Sequence, residues 1–451
     1  SPDTAFLKFD EFLQGLPAGV QLFSMIQANP QLMKLLAEIM GMAPRLADHL
    51  SSRPTVLDSV LTPDFFQSLP SINEMKEELG CYLARAEYTE DVLNFSRRWA
   101  HDRRFQVGVQ RLRGLIPPIE AATAHSNIAE AAVDCLFKPI HSKFIEAHGI
   151  VKGSDVAVLA LGKLGSREMT ASSDLDLVII YEAPIGSTGS DGTKPLPVSQ
   201  YFARLSQRLI NALTALTPEG AMFKVDMRLR PSGDSGPIAT TIEAFATYHA
   251  DEAWTWEHMA LTRARVISAT SNQMQSAVED TIQRVLTNPR APEPLLRDVA
   301  NMRARLVREK PAECLWSLKQ LRGGMVDIEF IAQYLALRHA AESPDILNCE
   351  TVALLHNLTR AGYLDASSGA LLANALKMFQ ALQSTLSLSI EDDITSQRVN
   401  EFSEALKSRL ADVEKCADFN VLESKVNGMA SKVFTLFQKI IDAPASQLPP
   451  P

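Results

Sequence analysis

Apolar residues recur at every third or fourth position over most of the chain, which is the spacing that gives an α-helix one buried face. This pattern predicts helices through most of residues 1–110, a further helix at about 118–148, and a series of helices between about 276 and 440. Proline at the first helical position favours a helix start, so Asn29-Pro30 is predicted to begin one of them. The chain is therefore expected to be mostly helical.

Three central segments have patterns that are typical of β-strands. They are VAVLAL at 156–161, DLDLVIIYE at 174–182, which alternates and then becomes apolar, and MFKVDMRLR at 222–230, which alternates throughout. A loop rich in glycine, serine and proline and a helix at 201–216 separate the second strand from the third. This order of elements predicts a small α/β domain between the two helical regions.

The predicted fold class is α+β, mostly helical, with a small sheet-containing domain flanked by helical domains. A chain of 451 residues is too long for a single compact core. The predicted domains are a helical regulatory or linker domain at 1–115, the sheet-containing domain at 116–275, a C-terminal helical bundle at 276–440, and a disordered tail at 441–451.

The composition narrows the class of protein. With 46% hydrophobic and 22% charged residues, the chain is an ordinary globular protein, and its net charge of −9 argues against a groove that grips a long nucleic acid. None of the five cysteines forms a C-x-x-C pair, so neither a zinc site nor a disulfide framework is expected. No apolar stretch is long enough to cross a bilayer and no export leader is evident. We expect a cytoplasmic protein.

The aspartates of the second and third predicted strands form a candidate metal site. Side chains two positions apart lie on the same face of a strand, so Asp174 and Asp176 should point the same way. The third strand repeats this arrangement with Asp226, Arg228 and Arg230. If the two strands are neighbours, three carboxylates converge beside two arginines. Bound Mg²⁺, with Mn²⁺ as the alternative, would relieve their mutual repulsion and bring in phosphate oxygens.

The turn before the first two aspartates has the features of a phosphate site. In Gly162-Lys163-Leu164-Gly165, backbone amides and a lysine can approach phosphates closely. Each motif alone has a structural explanation, because D-x-D pairs are common, GKLG is usually a plain turn, and RLRP is usually a salt-bridged strand end. The ordered combination favours two-metal phosphoryl or nucleotidyl transfer, with the arginines neutralising charge on a triphosphate.

This ordered set resembles the nucleotidyltransferase superfamily that includes DNA polymerase β and kanamycin nucleotidyltransferase. Within it, four segments together resemble the bifunctional glutamine synthetase adenylyltransferase/adenylyl-removing enzymes of bacteria: GKLGSREMTASSDLDL, VDMRLRPSGDSGPIAT, AFATYHADEAWTWEHMALTRARV and LKQLRGGMVDIEF. The resemblance covers essentially the whole chain and implies a mixed-sheet, polymerase β-like domain. These enzymes carry two such modules joined by a helical regulatory region. The segment DEAWTWEHMALTRARV favours the C-terminal, adenylylating module together with the helices before it.

The resemblance implies roles for individual residues. Asp174, Asp176 and Asp226 would be the catalytic, metal-binding carboxylates, with Asp226 the most plausible acceptor of the attacking hydroxyl's proton. Ser166 departs from the pattern, since many relatives have a second glycine there. The residues implied to bind nucleotide are Gly162, Lys163, Gly165, Ser173, Arg228, Arg230 and Lys319.

The implied reaction moves AMP from ATP to a tyrosine hydroxyl of glutamine synthetase and releases pyrophosphate, in the regulation of nitrogen metabolism. The PII signal protein and glutamine are the implied effectors, and neither nucleic acid nor membrane is an expected partner. One alternative is the AMP-removing, phosphorolytic module of the same enzyme. Another is a related protein-modifying nucleotidyltransferase such as PII uridylyltransferase, which lacks the DEAWTWEHMALTRAR segment. Polymerisation on a nucleic acid and a catalytically silent scaffold are less consistent with the sequence.

Several further residues admit two interpretations. Asp327 and Glu329 follow a Gly-Gly turn, where they either begin a helix or lie beside the nucleotide. Trp254 and Trp256 are expected to pack against the sheet rather than stack on adenine, and His258 is expected to be structural.

Overall fold

The computed structural model describes residues 2–15, 25–27, 29–390 and 394–449. Helices dominate the part before the sheet, as predicted, although residues 16–24 and 28 of the predicted helical region lie outside the described residues. The Asn29 side chain accepts a hydrogen bond from the Gln31 amide at the predicted helix start. These helices are α1 Pro2–Gly15, α2 Pro30–Met42, α3 Pro44–Ser52, α4 Val56–Val60, α5 Ile72–Leu83, α6 Thr89–Leu112 and α7 Pro118–His148.

The central region contains a mixed sheet of five strands, in the order β3-β2-β1-β5 with β4 also on β2. Strand β1 runs antiparallel to β2 and β5, whereas β2 runs parallel to β3 and β4. The elements are β1 Asp155–Ala160, α8 Gly162–Gly165, β2 Leu175–Glu182, α9 Val198–Thr214, β3 Val225–Asp226, β4 Ala239–Thr241, α10 Ile242–Asp251, α11 Thr255–Leu261 and β5 Arg265–Ala269.

The C-terminal region is helical, as predicted. Its helices are α12 Asn272–Leu286, α13 Pro292–Glu309, α14 Met325–His339, α15 Thr351–Arg360, α16 Ala366–Ser389, α17 Ser396–Asn400, α18 Glu404–Val413, α19 Phe419–Phe437 and α20 Ala443–Ser446, with a π-helical turn at Gln438–Asp442. Short 3₁₀ turns lie at Pro63–Phe66, Gly233–Ser235 and Pro344–Ile346. No helix within the described ranges has the length and apolar character needed to cross a membrane.

The expected disordered tail is wrong over residues 441–449. Ile441 is fully buried, Leu448 packs against the C-terminal core, and an Arg297 guanidinium donates to the Pro449 carbonyl. Proline-rich composition misled the prediction, because the helical chain continues past α19 through a π-helical turn, where the Ala443 amide bonds the Gln438 carbonyl, into the segment that contains Pro444. Residues 450–451 of that tail lie outside the described residues.

Both faces of the sheet are buried, which explains the uninterrupted apolar character of its strands. Val156, Val158 and Ile179 face a core shared with α5, α6, α7 and α9. Leu159 and Ile180 face the second core, which continues into the C-terminal helices. The sheet is therefore held between the two helical regions, and only its edges and strand ends can carry a site.

The third predicted strand is much shorter than expected. Only Val225 and Asp226 pair with β2, and the chain then turns, with the Arg230 amide bonded to the Met227 carbonyl. The alternation of MFKVDMRLR mimics a long strand, but Pro231 cannot continue a strand ladder and favours the turn. The prediction that Arg228 and Arg230 extend one strand face with Asp226 is wrong.

The predicted domain boundary at residue 115 falls between helices that share a core. Trp99 on α6 packs with α7 and the sheet, whereas Phe105 and Val109 on the same helix close the N-terminal core around α2 and α3. Helix α6 thus belongs to both cores. The division into domains stays a prediction.

Arg97 on α6 holds the end of α9 in place, and we expect its loss to destabilise the protein. Its buried guanidinium donates to the carbonyls of Ala212, Ala215 and Gly220. Arg97→Met would leave these carbonyls without their donor, so the free energy of unfolding should fall by about 3 kcal/mol. Urea unfolding measures this, and Arg98→Met, at a half-exposed arginine that pairs with Glu219, should change it by less than about 1 kcal/mol. Equal losses in both variants would contradict the assigned role.

Candidate active site

Two of the predicted carboxylates are brought together by the strand register. The parallel pairing of β2 and β3 sets Asp176 opposite Asp226 and Leu175 opposite Val225. Asp174 comes directly before β2 and is exposed. The sheet therefore gathers acidic residues at one end of β2, beside the turn that follows β1.

The electrostatics of this end of the sheet fit a divalent cation. Burial raises the pKa of Asp176, and the charges of Asp226 and Asp174 raise it further, whereas Lys319 and Arg263 oppose them. A bound cation relieves repulsion of this kind, and carboxylate oxygens are the donors that Mg²⁺ prefers. Among the described residues, however, no three Asp, Glu, His or Cys side chains already have the spacing of a metal site.

The Asp226 carboxylate is engaged by Arg228. The Arg228 Nε lies 2.9 Å from Asp226 Oδ2, and its backbone amide donates to Oδ1. The hydrogen bond with Arg228 lowers the pKa of Asp226. Arg228 itself is largely exposed, so its guanidinium can leave Asp226 for another anion without disturbing the core.

Arg230 has a different environment from Arg228. Its guanidinium donates to the Met227 carbonyl at 2.8 Å and lies 3.4 Å from the Asp234 carboxylate, and it is mostly buried in its own turn. Arg230 therefore shapes the turn that carries Arg228, and its binding of a nucleotide stays a prediction.

The turn after β1 packs directly on the candidate carboxylates. Gly162 has φ +53°, and a Cβ there would lie 2.1 Å from Asp176 Oδ2. A Cβ on Gly165 would lie 1.8 Å from the Arg263 carbonyl. Both positions require glycine because of close approach. Gly162 faces the carboxylates, whereas Gly165 faces the backbone before β5.

Lys163 lies at the edge of a cavity of about 870 Å³ between this turn, residues 114–119 and helix α16. Burial lowers the pKa of Lys163 to about 8, with Lys319 adding to the shift and Glu329 opposing it. Lys319 is exposed and acts electrostatically on both Lys163 and Asp176. Lys319 therefore lies close enough to both Lys163 and Asp176 to influence the pKa of each.

Arg263 is the residue at this site that sequence reasoning missed. Its guanidinium lies 2.8 Å from Ser166 Oγ and 3.1 Å from Glu329 Oε2, and it also pairs with Glu168. Ser166 accordingly contributes a hydroxyl to this contact, and its φ of −82° requires no glycine. The alternating arginines of the quoted segment LTRARV, just before a β-branched run, were the available signal.

Two other candidates have local structural contacts. Ser173 Oγ accepts a hydrogen bond from the Thr170 amide at 2.9 Å and so caps the loop before Asp174. Asp327 is fully buried, pairs with Arg303 and accepts a hydrogen bond from the Gly323 amide. Of the pair Asp327 and Glu329, only Glu329 reaches the candidate site.

The aromatic segment differs from expectation. Trp254 is 71% exposed and Trp256 is 40% exposed, so the prediction that they pack against the sheet is wrong. At the start of α11 the Glu257 carboxylate accepts hydrogen bonds from the Trp254 amide and the Tyr248 hydroxyl, while the Trp254 ring stays outside the core. His258 bonds the His249 carbonyl, a local contact that fits the structural role expected for it.

Comparisons with known proteins cover nearly all of the chain. Residues 33–281 match the family model described as glutamate-ammonia ligase adenylyltransferase, and residues 299–441 match the model described as PII-uridylyltransferase. The chain is 42% identical over 440 residues to a bifunctional glutamine synthetase adenylyltransferase/adenylyl-removing enzyme of Rhodopseudomonas palustris. It is 41% identical over 445 residues to the protein of that name from Xanthobacter autotrophicus.

These alignments cover 98% of this chain but 44% of each relative, so the chain spans less than half the length of the curated relatives it matches. The family match includes β1 to β5, with the turn at Gly162 and all three aspartates. The chain belongs to the glutamate-ammonia ligase adenylyltransferase family.

Proposed function

We propose that this chain transfers AMP from ATP to a tyrosine hydroxyl of glutamine synthetase, with release of pyrophosphate. The observation that carries the proposal is the register of Asp176 against Asp226 beside the Gly162 turn, in a chain of this family. The hydroxyl oxygen forms a bond to the α-phosphorus, and the bond from that phosphorus to the pyrophosphate oxygen breaks.

The proposal gives each group near the carboxylates a task. Asp174, Asp176 and Asp226 would hold Mg²⁺, which supplies charge stabilisation to the attacking and leaving oxygens. Arg228 turns from Asp226 to the triphosphate, and Asp226 then accepts the hydroxyl proton. Lys163 and Lys319 bind the β- and γ-phosphates, since Lys319 acts electrostatically on Asp176 and Lys163 lies near Lys319 in the turn that contacts Asp176.

The AMP-removing reaction is the alternative, because phosphorolysis of tyrosyl-AMP uses the same kinds of groups and the relatives' printed name includes both activities. Uridylyl transfer is a further alternative, favoured by the match of residues 299–441 to a PII-uridylyltransferase model. That match comprises C-terminal helices only, whereas the carboxylates lie in the adenylyltransferase match. Glutamine and PII as effectors, and a cytoplasmic location, belong to the proposal as well.

The direct test is transfer of label from α-labelled ATP to unmodified glutamine synthetase in the presence of Mg²⁺. We expect label on glutamine synthetase with the wild-type chain and none with Asp174→Asn/Asp176→Asn. Labelled UTP in a parallel reaction should give no product. Absence of transfer with ATP, even with glutamine and PII supplied, would contradict the proposal for this chain.

Titration of Lys163 should make the rate of the reaction fall as the pH rises above about 8. Its amine is charged below a pKa of about 8 and neutral above it, so kcat/KM for ATP should fall roughly tenfold between pH 7.5 and 9. Lys163→Arg keeps its charge throughout this range and should remove the decrease. An unchanged decrease in that variant would show that another group titrates.

A further inference from the structure

Arg263 joins the turn that follows β1 to the C-terminal helices. It lies in the short link between α11 and β5, and its two terminal nitrogens point to different elements. One nitrogen bonds Ser166 and Glu168, which directly follow the turn, and the other pairs with Glu329 on α14. The Arg263 carbonyl also lies against Gly165, so backbone and side chain both contact the turn segment.

The cluster is buried and its charges balance. The side chains of Arg263, Glu168 and Glu329 are 11%, 14% and 13% exposed. With Lys163 beside them, two cations face two carboxylates. Removing the Arg263 charge would leave the Glu168 and Glu329 carboxylates with only Lys163 as a nearby cation. A buried carboxylate that loses its cationic partner is strongly destabilising.

We propose that Arg263 is a positioning residue for nucleotidyl transfer, which holds the Gly162–Gly165 turn and Lys163 in register with Asp176 by bridging Glu168 to Glu329. This inference rests on the proposed function. It also assigns a task to Glu329, which fixes the Arg263 side chain from the C-terminal helices. A movement of α14 would therefore shift Arg263, and with it the Gly162–Gly165 turn.

Arg265 offers an informative comparison with Arg263. It donates to the carbonyls of Leu164 and Gly165 and pairs with Glu130 on α7, so it holds the same turn from the opposite helical region. Its contacts are to the turn backbone, without the link to α14. Of these two arginines, Arg263 is the one that connects the turn to the C-terminal helices, through its ion pair with Glu329.

The test combines enzyme kinetics with hydrogen exchange on the full chain. The variants are Arg263→Gln, Arg263→Lys, Glu329→Gln and the double variant Arg263→Gln/Glu329→Gln, with Arg305→Gln at an exposed ion pair as the matched control. Exchange is followed by mass spectrometry for peptides spanning residues 162–170, and kcat and KM for ATP are measured in parallel.

For Arg263→Gln we expect exchange in 162–170 to rise about tenfold and kcat/KM to fall about 10²-fold, because the reacting groups lose alignment. Arg263→Lys should recover part of both effects, and the double variant should resemble Arg263→Gln alone, since the two residues act as a unit. Arg305→Gln should match the wild type. Wild-type exchange and kinetics in Arg263→Gln, or additive effects in the double variant, would overturn the inference. Failure of the wild type to transfer AMP would contradict the proposed function, while the exchange result still decides whether Arg263 holds the turn.

Discussion

Replacing Asp176 by asparagine is expected to reduce adenylyl transfer at least about a thousandfold, or about 4 kcal/mol of transition-state stabilisation. Asparagine has nearly the same shape but lacks the charge that binds a cation, and the charges of Asp174 and Asp226 both act on Asp176. The rate is measured as label transferred from α-labelled ATP to glutamine synthetase. Binding of Mn²⁺ by the same variant should weaken in parallel.

The same substitution should leave the fold at least as stable as the wild type. Burial and the neighbouring aspartates raise the folded-state pKa of Asp176, so its ionised form opposes folding above that pKa. Asp176→Asn would remove this repulsion, and the midpoint of thermal unfolding should stay the same or rise. A variant that retained more than a tenth of the wild-type rate would contradict the metal-binding role, and one that unfolded early would make the loss of activity a folding effect.

The sequence was most informative where pattern and local chemistry agree. Helix α7 occupies the predicted range, and β1 and β2 begin within a residue of their predicted starts, because their apolar runs are buried on both faces. The third strand failed for the opposite reason: its alternation is real, but Pro231 and the contacts of Arg230 with its own turn end the pairing after Asp226. The alternation of apolar and polar residues in a segment does not predict how far that segment can pair with a neighbouring strand.

For the site, the order of motifs was sufficient to bring Asp176, Asp226 and Gly162 together, since β2 pairs with β3 at the two aspartates and the Gly162 turn packs against Asp176. It was insufficient for Arg263, which approaches the turn from a segment about 100 residues farther along the chain, and it left two interpretations open for Glu329. Trp254 shows the same limitation, because its sequence context did not reveal that its side chain is exposed. Contacts across such separations depend on packing that no local pattern encodes.

Asp327 is the position where a structural role and a nucleotide-binding role predict opposite results. Its buried carboxylate pairs with the buried Arg303 on α13 and accepts from the Gly323 amide, so it fixes the turn that begins α14. Asp327→Asn would leave the Arg303 charge without its buried partner, and the free energy of unfolding should fall by about 3–5 kcal/mol. Urea unfolding measures this loss, and KM for ATP of the folded variant should remain within about threefold of wild type.

The double variant Arg303→Met/Asp327→Leu separates the charge from the packing. Removing both members of a buried ion pair in favour of apolar side chains of similar volume is often neutral, so much of the lost stability should return even though neither polar group remains. Such recovery would show that the single substitution is costly because it leaves a charge alone in the core between α13 and α14. A severalfold rise in KM for ATP in Asp327→Asn, with unchanged stability, would instead place Asp327 beside the nucleotide. Asp327 and Glu329 would then both belong to the candidate site.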